Sequence, residues 1–215
     1  KPKPAQLPAL DAAAASALMT RVWATQLGVM DSALSLYVKE NQVAAVSSDG
    51  VMALMDATTG RDVWRLALNT RVQAGVGGDG SRFAVVTQNN EVVTVQAGQV
   101  IWRYRLGAST YTAPLVAGGR VFVLTADRTV IALDGASGQR LWSQQRSGDP
   151  LVLRQAGLLM AVGDTLVVGL SGRLVGMNPN NGSTRWDSVV GASRGTNEVE
   201  RLVDIVAGVS RVGTT

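Results

Sequence analysis

The sequence predicts an all-β fold, a β-propeller of four-stranded antiparallel blades, and two observations support this prediction. The five tryptophans follow one another at intervals of 41, 38, 40 and 44 residues, and a period near 40 residues is typical of propeller blades. A glycine lies four residues before each of the last four tryptophans, so the repeat also has a fixed phase. These pairs are Gly60 with Trp64, Gly98 with Trp102, Gly138 with Trp142, and Gly182 with Trp186.

The third repeat shows the four predicted strands of one blade most clearly. Residues 114–117 form a short inner strand, and Gly118-Gly119 is a two-residue hairpin turn. Residues 120–125 and 129–134 are the two middle strands, because apolar side chains predominate in both and short polar turns flank them. Residues 139–142 begin the outer strand, which contains the tryptophan of the repeat.

The other repeats follow the same plan, with two middle strands separated by a turn rich in Gly, Asp, Asn or Ser. The turn of the third repeat is Ala126-Asp127-Arg128, and the second repeat is one residue shorter in the turn before its outer strand. The predicted middle strands are residues 42–47 and 51–56, 82–88 and 91–96, and 165–170 and 173–178.

Each repeated residue type has a physical role in this interpretation. The glycine supplies a positive φ in the tight turn before the outer strand. An Asp or Asn four residues earlier, at Asp56, Asp134 and Asn178, accepts hydrogen bonds from turn amides. The tryptophan covers the seam between adjacent blades with a large rigid face, so we interpret the tryptophans as packing residues.

The repeats also predict how the chain is organised. Residues 1–20 are an N-terminal tether and lead-in, in which residues 12–19 form a short helix or an irregular segment. Residues 21–190 form four blades, and residues 191–215 form an inter-blade loop and the start of a truncated fifth blade. Trp23 is predicted on an outer strand that has no inner strands before it, so the chain represents roughly half of a larger propeller.

Composition excludes several classes of chemistry. The 215 residues include no Cys and no His, so thiol chemistry, Cys/His metal sites and Ser–His or Cys–His catalysis are excluded. No apolar run is long enough to span a membrane. The net charge of +4 comes almost wholly from arginines spread over all repeats, which favours solvated blade surfaces over a nucleic-acid-binding strip. We therefore predict no catalytic residues, cofactor, metal or nucleic acid.

Residues 102–142 resemble the repeat of PQQ-type propellers, in the segments Trp102-Arg-Tyr-Arg-Leu-Gly, Gly119-Arg-Val-Phe-Val and Gly138-Gln-Arg-Leu-Trp142. Two groups use that repeat, the quinoprotein dehydrogenases and the BamB family. The dehydrogenases bind their quinone with calcium and, in many members, a vicinal Cys pair. This chain has no Cys, and its aspartates fall mostly in turns, whereas calcium takes six or more oxygen ligands.

Two further segments resemble loops of the BamB family, the lipoprotein of the outer-membrane β-barrel assembly machinery. Asp149-Pro-Leu-Val-Leu-Arg154 is similar to the Leu-x-Leu-Arg loop between blades three and four, and residues 194–204 to the polar loop after blade four. The family has eight blades, so the resemblance implies an N-terminal half with about four blades. This chain has Val206 where the family usually has a second Asp, and it lacks the lipidated N-terminal Cys.

The resemblance implies a non-enzymatic scaffold at the periplasmic face of the outer membrane of a Gram-negative bacterium, lipid-anchored when full length. The family binds a periplasmic POTRA domain of BamA through these loops, and unfolded outer-membrane proteins are a further partner. Leu151 and Leu153 would be apolar anchors, Arg154 a bidentate donor and Asp204 its counter-charge or a contact to a basic group. The alternatives are a PQQ-dependent quinoprotein dehydrogenase fragment and a generic propeller adaptor with another partner.

Overall fold

The computed structural model describes residues 20–30, 34–146, 157–170 and 172–190, and in these ranges it contains strands and no helix. The strands form four antiparallel sheets of four, each ordered as its strands follow in the chain. None of these ranges holds a helix long and apolar enough to cross a membrane.

The strands of blade one are β1 (Tyr37–Lys39), β2 (Gln42–Val46), β3 (Val51–Asp56) and β4 (Asp62–Ala67), and those of blade two are β5 (Val72–Gly78), β6 (Arg82–Thr87), β7 (Glu91–Gln96) and β8 (Gln99–Arg105). The strands of blade three are β9 (Leu115–Ala117), β10 (Arg120–Leu124), β11 (Thr129–Asp134) and β12 (Arg140–Gln145), and those of blade four are β13 (Leu158–Val162), β14 (Thr165–Leu170), β15 (Arg173–Met177) and β16 (Thr184–Val189).

The predicted all-β fold of four-stranded antiparallel blades is confirmed. The hairpin of blade three shows how local sequence sets the register, because Ala117 pairs with Arg120 and leaves Gly118 and Gly119 as the whole turn. Their φ angles are 56° and 72°, as a two-residue turn that matches the strand twist requires.

The inner strands β1, β5 and β13 were not recognised in the sequence, and β5 shows why. Its sequence is rich in glycine and its pairing with β6 is irregular at two places, so the alternation of side chains that marks a strand is weak. Gly77 is required there because a Cβ atom would lie 1.7 Å from the carbonyl oxygen of Pro114 in the next blade. Close packing of inner strands thus explains Gly77, one of the glycines that make the strand pattern hard to recognise.

Three apolar cores lie in the seams between consecutive blades. In the first seam, Met52 and Leu54 of blade one pack with Phe83 and Val85 of blade two. Equivalent cores join blades two and three, and blades three and four. Since the middle strands of a blade are covered on both faces, they contain continuous apolar runs, as in residues 130–133.

The outward face of blade one, turned away from blade two, is covered by the chain that precedes the first strand. Ala45, Ala53 and Met55 form a small buried cluster against Leu27. Residues 20–30 contain no strand, so the prediction that Trp23 lies on an outer strand is wrong. No inner strands among the described residues pair with this segment. It is held against the blade by packing and by hydrogen bonds, among them those from the Trp23 indole N–H to the Ala57 carbonyl and from the Ser48 amide to the Val29 carbonyl, both at 2.8 Å.

Each seam is closed by a tryptophan that contacts the glycine turn of the following blade. A Cβ atom on Gly138 would lie 2.7 Å from the indole of Trp102, and one on Gly182 would lie 2.6 Å from that of Trp142. The Trp102 indole N–H also donates to the carbonyl of Gly135 at 2.9 Å. The same glycine–indole contact joins Gly60 to Trp23 and Gly98 to Trp64.

The glycines of these turns have left-handed backbones, and an aspartate organises the turn before two of them. The φ angles of Gly60, Gly98, Gly138 and Gly182 lie between 68° and 74°. Asp134 Oδ1 accepts from the backbone N–H of Ser137 at 2.8 Å and of Ala136 at 3.0 Å. These hydrogen bonds, with that of the Ser137 hydroxyl, lower the pKa of the Asp134 carboxyl, and the backbone N–H of Thr59 lowers the pKa of Asp56 in the same way.

Candidate protein-binding face

The blades present two different faces, which we call the loop face and the hairpin face. The loop face carries the connections between blades and the turns that end at Gly50, Asn90, Arg128 and Gly172. In every blade the residue after the outer strand is hydrogen-bonded to the last residue of that turn, as the Leu68 amide is to the Gly50 carbonyl at 2.9 Å. The hairpin face carries the other turns, including those with the repeated glycines.

The four residues predicted to bind the partner, Leu151, Leu153, Arg154 and Asp204, lie outside the described residues. The structure does describe the residues at which the two segments that contain them begin. The first connection leaves blade three at Arg146, whose amide donates to the Arg128 carbonyl at 3.1 Å. The second leaves blade four at Val190, whose amide donates to the Gly172 carbonyl at 2.8 Å. Both connections therefore begin on the loop face, on adjacent blades.

The two blades that lead into these connections are joined by an ion-pair network. Arg146 Nη2 lies 3.4 Å from Asp187 Oδ2, and Arg146 Nη1 donates to Thr184 Oγ1 at 2.8 Å. Arg173 Nε binds the other oxygen of the same carboxylate at 2.9 Å. Asp187 and Thr184 are in β16 and Arg146 directly follows β12. The network therefore ties the first residue of one connection to the strand that leads into the other.

Threonine hydroxyls anchor the point where the chain enters blade four. The Gly157 amide donates to Thr112 Oγ1 at 2.8 Å. The buried hydroxyl of Thr110 donates to the Leu124 carbonyl, and the Thr110 carbonyl accepts from Gln73 Nε2 at 2.8 Å. The far end of the 146–157 connection is thus hydrogen-bonded to the segment that leads into blade three.

One buried arginine on the loop face escaped the sequence interpretation, which treated Arg128 only as part of a turn. The residue is 4% exposed, and neither Nε nor Nη2 has a hydrogen-bond partner. The sequence does indicate that Arg128 is unusual. The equivalent residues of the other blades are Gly50, Asn90 and Gly172, which tolerate the left-handed backbone of this position better than an arginine does.

The hairpin face holds two shallow cavities without a convergent set of reactive groups. One, of about 350 Å³, is bordered by Lys39, Asn41 and Asp56. The other, of about 170 Å³, lies between blades three and four beside Phe122 and Pro179. In the part of the chain that the structure describes, no three Asp or Glu side chains are grouped closely enough to hold a metal ion. These residues do not fit a calcium–quinone site, since calcium takes six to eight oxygens.

The family of this chain is identified by its match to a protein-family model. The model of the outer membrane protein assembly factor BamB matches residues 48–215, which include all four blades' outer strands and both predicted loops. The chain belongs to the BamB family. Its fold, its repeat and its loop face can therefore be compared with those of other BamB proteins.

Curated BamB proteins of several bacteria are similar over most of this chain. The chain is 33% identical to BamB of Bordetella pertussis over 172 residues, which are 79% of the chain and 44% of that protein. It is 32% identical to BamB of Burkholderia pseudomallei over 174 residues, or 80% of the chain and 46% of that protein. The chain thus spans about half the length of the curated relatives it matches.

Solved structures support the propeller fold. The crystal structure of BamB from Moraxella catarrhalis matches with a TM-score of 0.75 at 24% identity, covering 87% of this chain and 59% of that one. A quinohemoprotein alcohol dehydrogenase from Pseudomonas putida matches with a TM-score of 0.59 at 17% identity, covering 75% of this chain and 34% of that one. At such identities the likeness concerns the fold, and function must be argued from the residues of the site.

Proposed function

We propose that this chain is part of a non-enzymatic scaffold subunit of the outer-membrane protein assembly complex. In this proposal the protein acts in the periplasm, anchored to the outer membrane by an N-terminal lipid, and binds a POTRA domain of BamA. Leu151, Leu153, Arg154 and Asp204 make the contact, and unfolded outer-membrane proteins are further partners. The proposal rests on membership of the BamB family and on the resemblance of the two loops to those of that family.

The observation that supports the site most directly is the network around Asp187. A protein-binding site made from two loops needs both to leave the scaffold from neighbouring, fixed positions. Arg146 begins one connection and binds β16, which leads into the other. The side chains of Arg146 and Asp187 are only 21% and 31% exposed, so solvent screens this pair less than a fully exposed one.

The proposal predicts that Leu153→Ala combined with Arg154→Ala weakens binding of the full-length protein to purified periplasmic domains of BamA at least tenfold. Truncation of a central anchor costs about 1–4 kcal/mol of binding, and a tenfold change corresponds to about 1.4 kcal/mol. Biolayer interferometry on both variants and the unmodified protein measures the difference. Circular dichroism and thermal unfolding check that the blades remain folded.

Arg103→Ala is the matched control, because it removes an arginine from an outer strand without touching the loops. The Arg103 side chain is 39% exposed and lies 3.4 Å from Glu91, and an exposed pair of this kind contributes about 0–1 kcal/mol. Its affinity for BamA should equal that of the unmodified protein. Equal affinity of the loop variant and this control would reject the proposed site.

The competing function, a PQQ-dependent dehydrogenase fragment, is tested separately. Addition of PQQ and calcium to the full-length protein should produce no dye-linked alcohol oxidation, because the described residues offer no group of carboxylates that could hold calcium. Turnover that depends on both additions would overturn the scaffold proposal.

A further inference from the structure

The cavity between blades three and four on the hairpin face is the size of one side chain. Its volume is about 170 Å³, whereas sites that hold small-molecule ligands measure about 300–1,000 Å³. The buried side chains of Phe122 and Leu166 form its floor, and the half-buried Ala117, Ala161 and Pro179 line its sides. The cavity is therefore largely apolar, and both blades contribute to it.

The corresponding space between blades one and two is filled by an aromatic side chain of the chain itself. Tyr37, in the inner strand of blade one, packs edge-on against Phe83 of blade two, with the ring centroids 5.4 Å apart. A Cβ atom on Gly78 would lie 3.1 Å from Tyr37 Cδ2, and one on Gly80 would lie 3.6 Å from the Tyr37 hydroxyl oxygen. The tyrosine thus fills the seam beside the β5–β6 hairpin.

The strand register shows that the cavity is the equivalent space in the last seam. Gly78 pairs with Phe83 in blade two, as Ala161 pairs with Leu166 in blade four. Phe83 and Leu166 are each the second residue of the second strand of their blade. Residues that contact Tyr37 in blade two therefore have their equivalents in the lining of the cavity.

Blade three has a leucine where blade one has the tyrosine that fills the seam. Tyr37 pairs with Ala44, the third residue of the neighbouring strand, and Leu115 pairs with Phe122, which is also the third residue of its strand. Leucine is shorter than tyrosine and has no ring. The space that an aromatic side chain fills between blades one and two is thus left open between blades three and four.

Arg120 provides a fixed guanidinium at this cavity. Its Nη1 donates to the Gly118 carbonyl at 3.2 Å and its Nη2 to Asn180 Oδ1 at 2.8 Å, so the group is held between the two blades. Asp164, which also lines the cavity, is paired with Arg185 at 2.8 Å. A guanidinium attracts an aromatic ring whose centroid lies within about 6 Å. The charged part of the lining therefore suits the same kind of occupant as the apolar part.

We propose that this cavity binds an aromatic side chain of an unfolded outer-membrane protein, in the space equivalent to that of Tyr37. The identity of the occupant rests on the proposed function, in which such proteins are partners. Strands of transmembrane barrels alternate apolar and polar residues and carry aromatic residues at both membrane interfaces, so an extended segment presents aromatic side chains one at a time. The cavity lies on the hairpin face, so its occupant does not compete with BamA at the loop face.

The test measures binding of labelled peptides to the full-length protein by fluorescence anisotropy. A peptide of about ten residues, the length of a barrel strand, alternates serine and valine and has one central phenylalanine. A second peptide has alanine in its place. The phenylalanine peptide should bind about fivefold or more tightly, because it has the anchor side chain that the alanine peptide lacks. Equal affinities of the two peptides would overturn the inference.

Leu115→Tyr in the full-length protein copies the residue of blade one and fills the cavity from within the chain. It should abolish the preference for the phenylalanine peptide and leave the thermal unfolding midpoint unchanged or higher. Leu141→Tyr is the matched control, because it introduces the same ring in the same blade at a position that is 46% exposed, and it should leave binding unchanged. Arg120→Gln copies Gln42, the first residue of the equivalent strand in blade one, and should weaken binding of the phenylalanine peptide about twofold to fivefold.

The outcomes separate this inference from the proposed function. Loss of the phenylalanine preference in Leu115→Tyr, with unchanged affinity for the periplasmic domains of BamA, supports the inference. If Leu115→Tyr keeps the preference, or if it lowers the affinity for BamA alone, the inference is wrong. If Leu115→Tyr does not fold, Arg120→Gln decides, and unchanged peptide affinity of that variant overturns the inference. If the unmodified protein prefers the phenylalanine peptide but does not bind BamA, the proposed BamA contact is wrong and the assignment of the cavity stands.

Discussion

At the scale of single residues, the repeated glycine has two roles, of which the sequence indicates only one. The positive φ of Gly138, 73°, is the reason usually given for a glycine in a tight turn. The 2.7 Å approach of a hypothetical Cβ atom to the Trp102 indole is a second reason, and it involves a residue of the preceding blade. Glycine and tryptophan of neighbouring repeats therefore form one packing unit.

Gly138→Ala should destabilise the protein more than Gly119→Ala in the same blade. The φ angles are almost equal, 73° and 72°, so both variants include the same backbone cost of about 1–2 kcal/mol. Nothing lies within 4 Å of a Cβ atom on Gly119, whereas overpacking against Trp102 adds about 1–3 kcal/mol. Urea unfolding measures both. Equal losses of stability would show that the Trp102 side chain moves aside without a loss of folding free energy.

The aspartates of the glycine turns predict a pH dependence of stability. The hydrogen bond from the backbone N–H of Ser137 lowers the pKa of Asp134, and that from Thr59 lowers the pKa of Asp56. Their stabilisation is complete above the unfolded pKa of 3.8 and is lost as the pH falls below it, through the folded pKa. An asparagine side chain still accepts the amide bonds, as Asn178 Oδ1 does from Asn180 at 2.9 Å.

The double variant Asp56→Asn, Asp134→Asn should therefore lose less stability on acidification than the unmodified protein. Thermal unfolding between about pH 5 and about pH 2, where such carboxylates titrate, measures the slope. A double variant with the same slope would show that other carboxylates determine the acid sensitivity.

At the scale of elements, the middle and outer strands and the inner strand of blade three could be predicted from sequence, while the other three inner strands and the connections could not. β10 and β11 are apolar runs bounded by turn residues, so local pattern is sufficient. β5 has a glycine at position 77 because Pro114 of another blade approaches its backbone, and a contact between distant residues leaves no local pattern. Arg128 was overlooked for the same reason, since its burial depends on the packing of a turn that looks polar and exposed in sequence.

The tryptophan seams should determine how strongly neighbouring blades are joined. Trp142→Ala should cost about 3–5 kcal/mol, because it removes a buried aromatic side chain and the indole hydrogen bond to the Pro179 carbonyl at 2.9 Å. Leu141→Ala on the same strand is the control, since Leu141 is 46% exposed and its truncation should cost about 1 kcal/mol or less. Similar losses for the two variants would contradict the packing role of Trp142.

At the scale of the whole molecule, the hairpin face and the loop face have different structural roles. The hairpin face contains the glycine turns, which join one blade to the next through Trp102 and its equivalents. The loop face contains the chain connections, the Arg146–Asp187 network and Arg128. Membership of the BamB family together with this division directs the search for a partner to the loop face.

Site-specific photo-crosslinking in living cells tests the central claim that the loop face binds BamA. A photoreactive amino acid is placed in the full-length protein at Val152, between the two predicted leucine anchors, or at Asp164 in the hairpin turn of blade four, whose side chain is 84% exposed. We expect a covalent adduct with BamA from position 152 and none from position 164. An adduct from position 164 alone, or equal adducts from both positions, would contradict it.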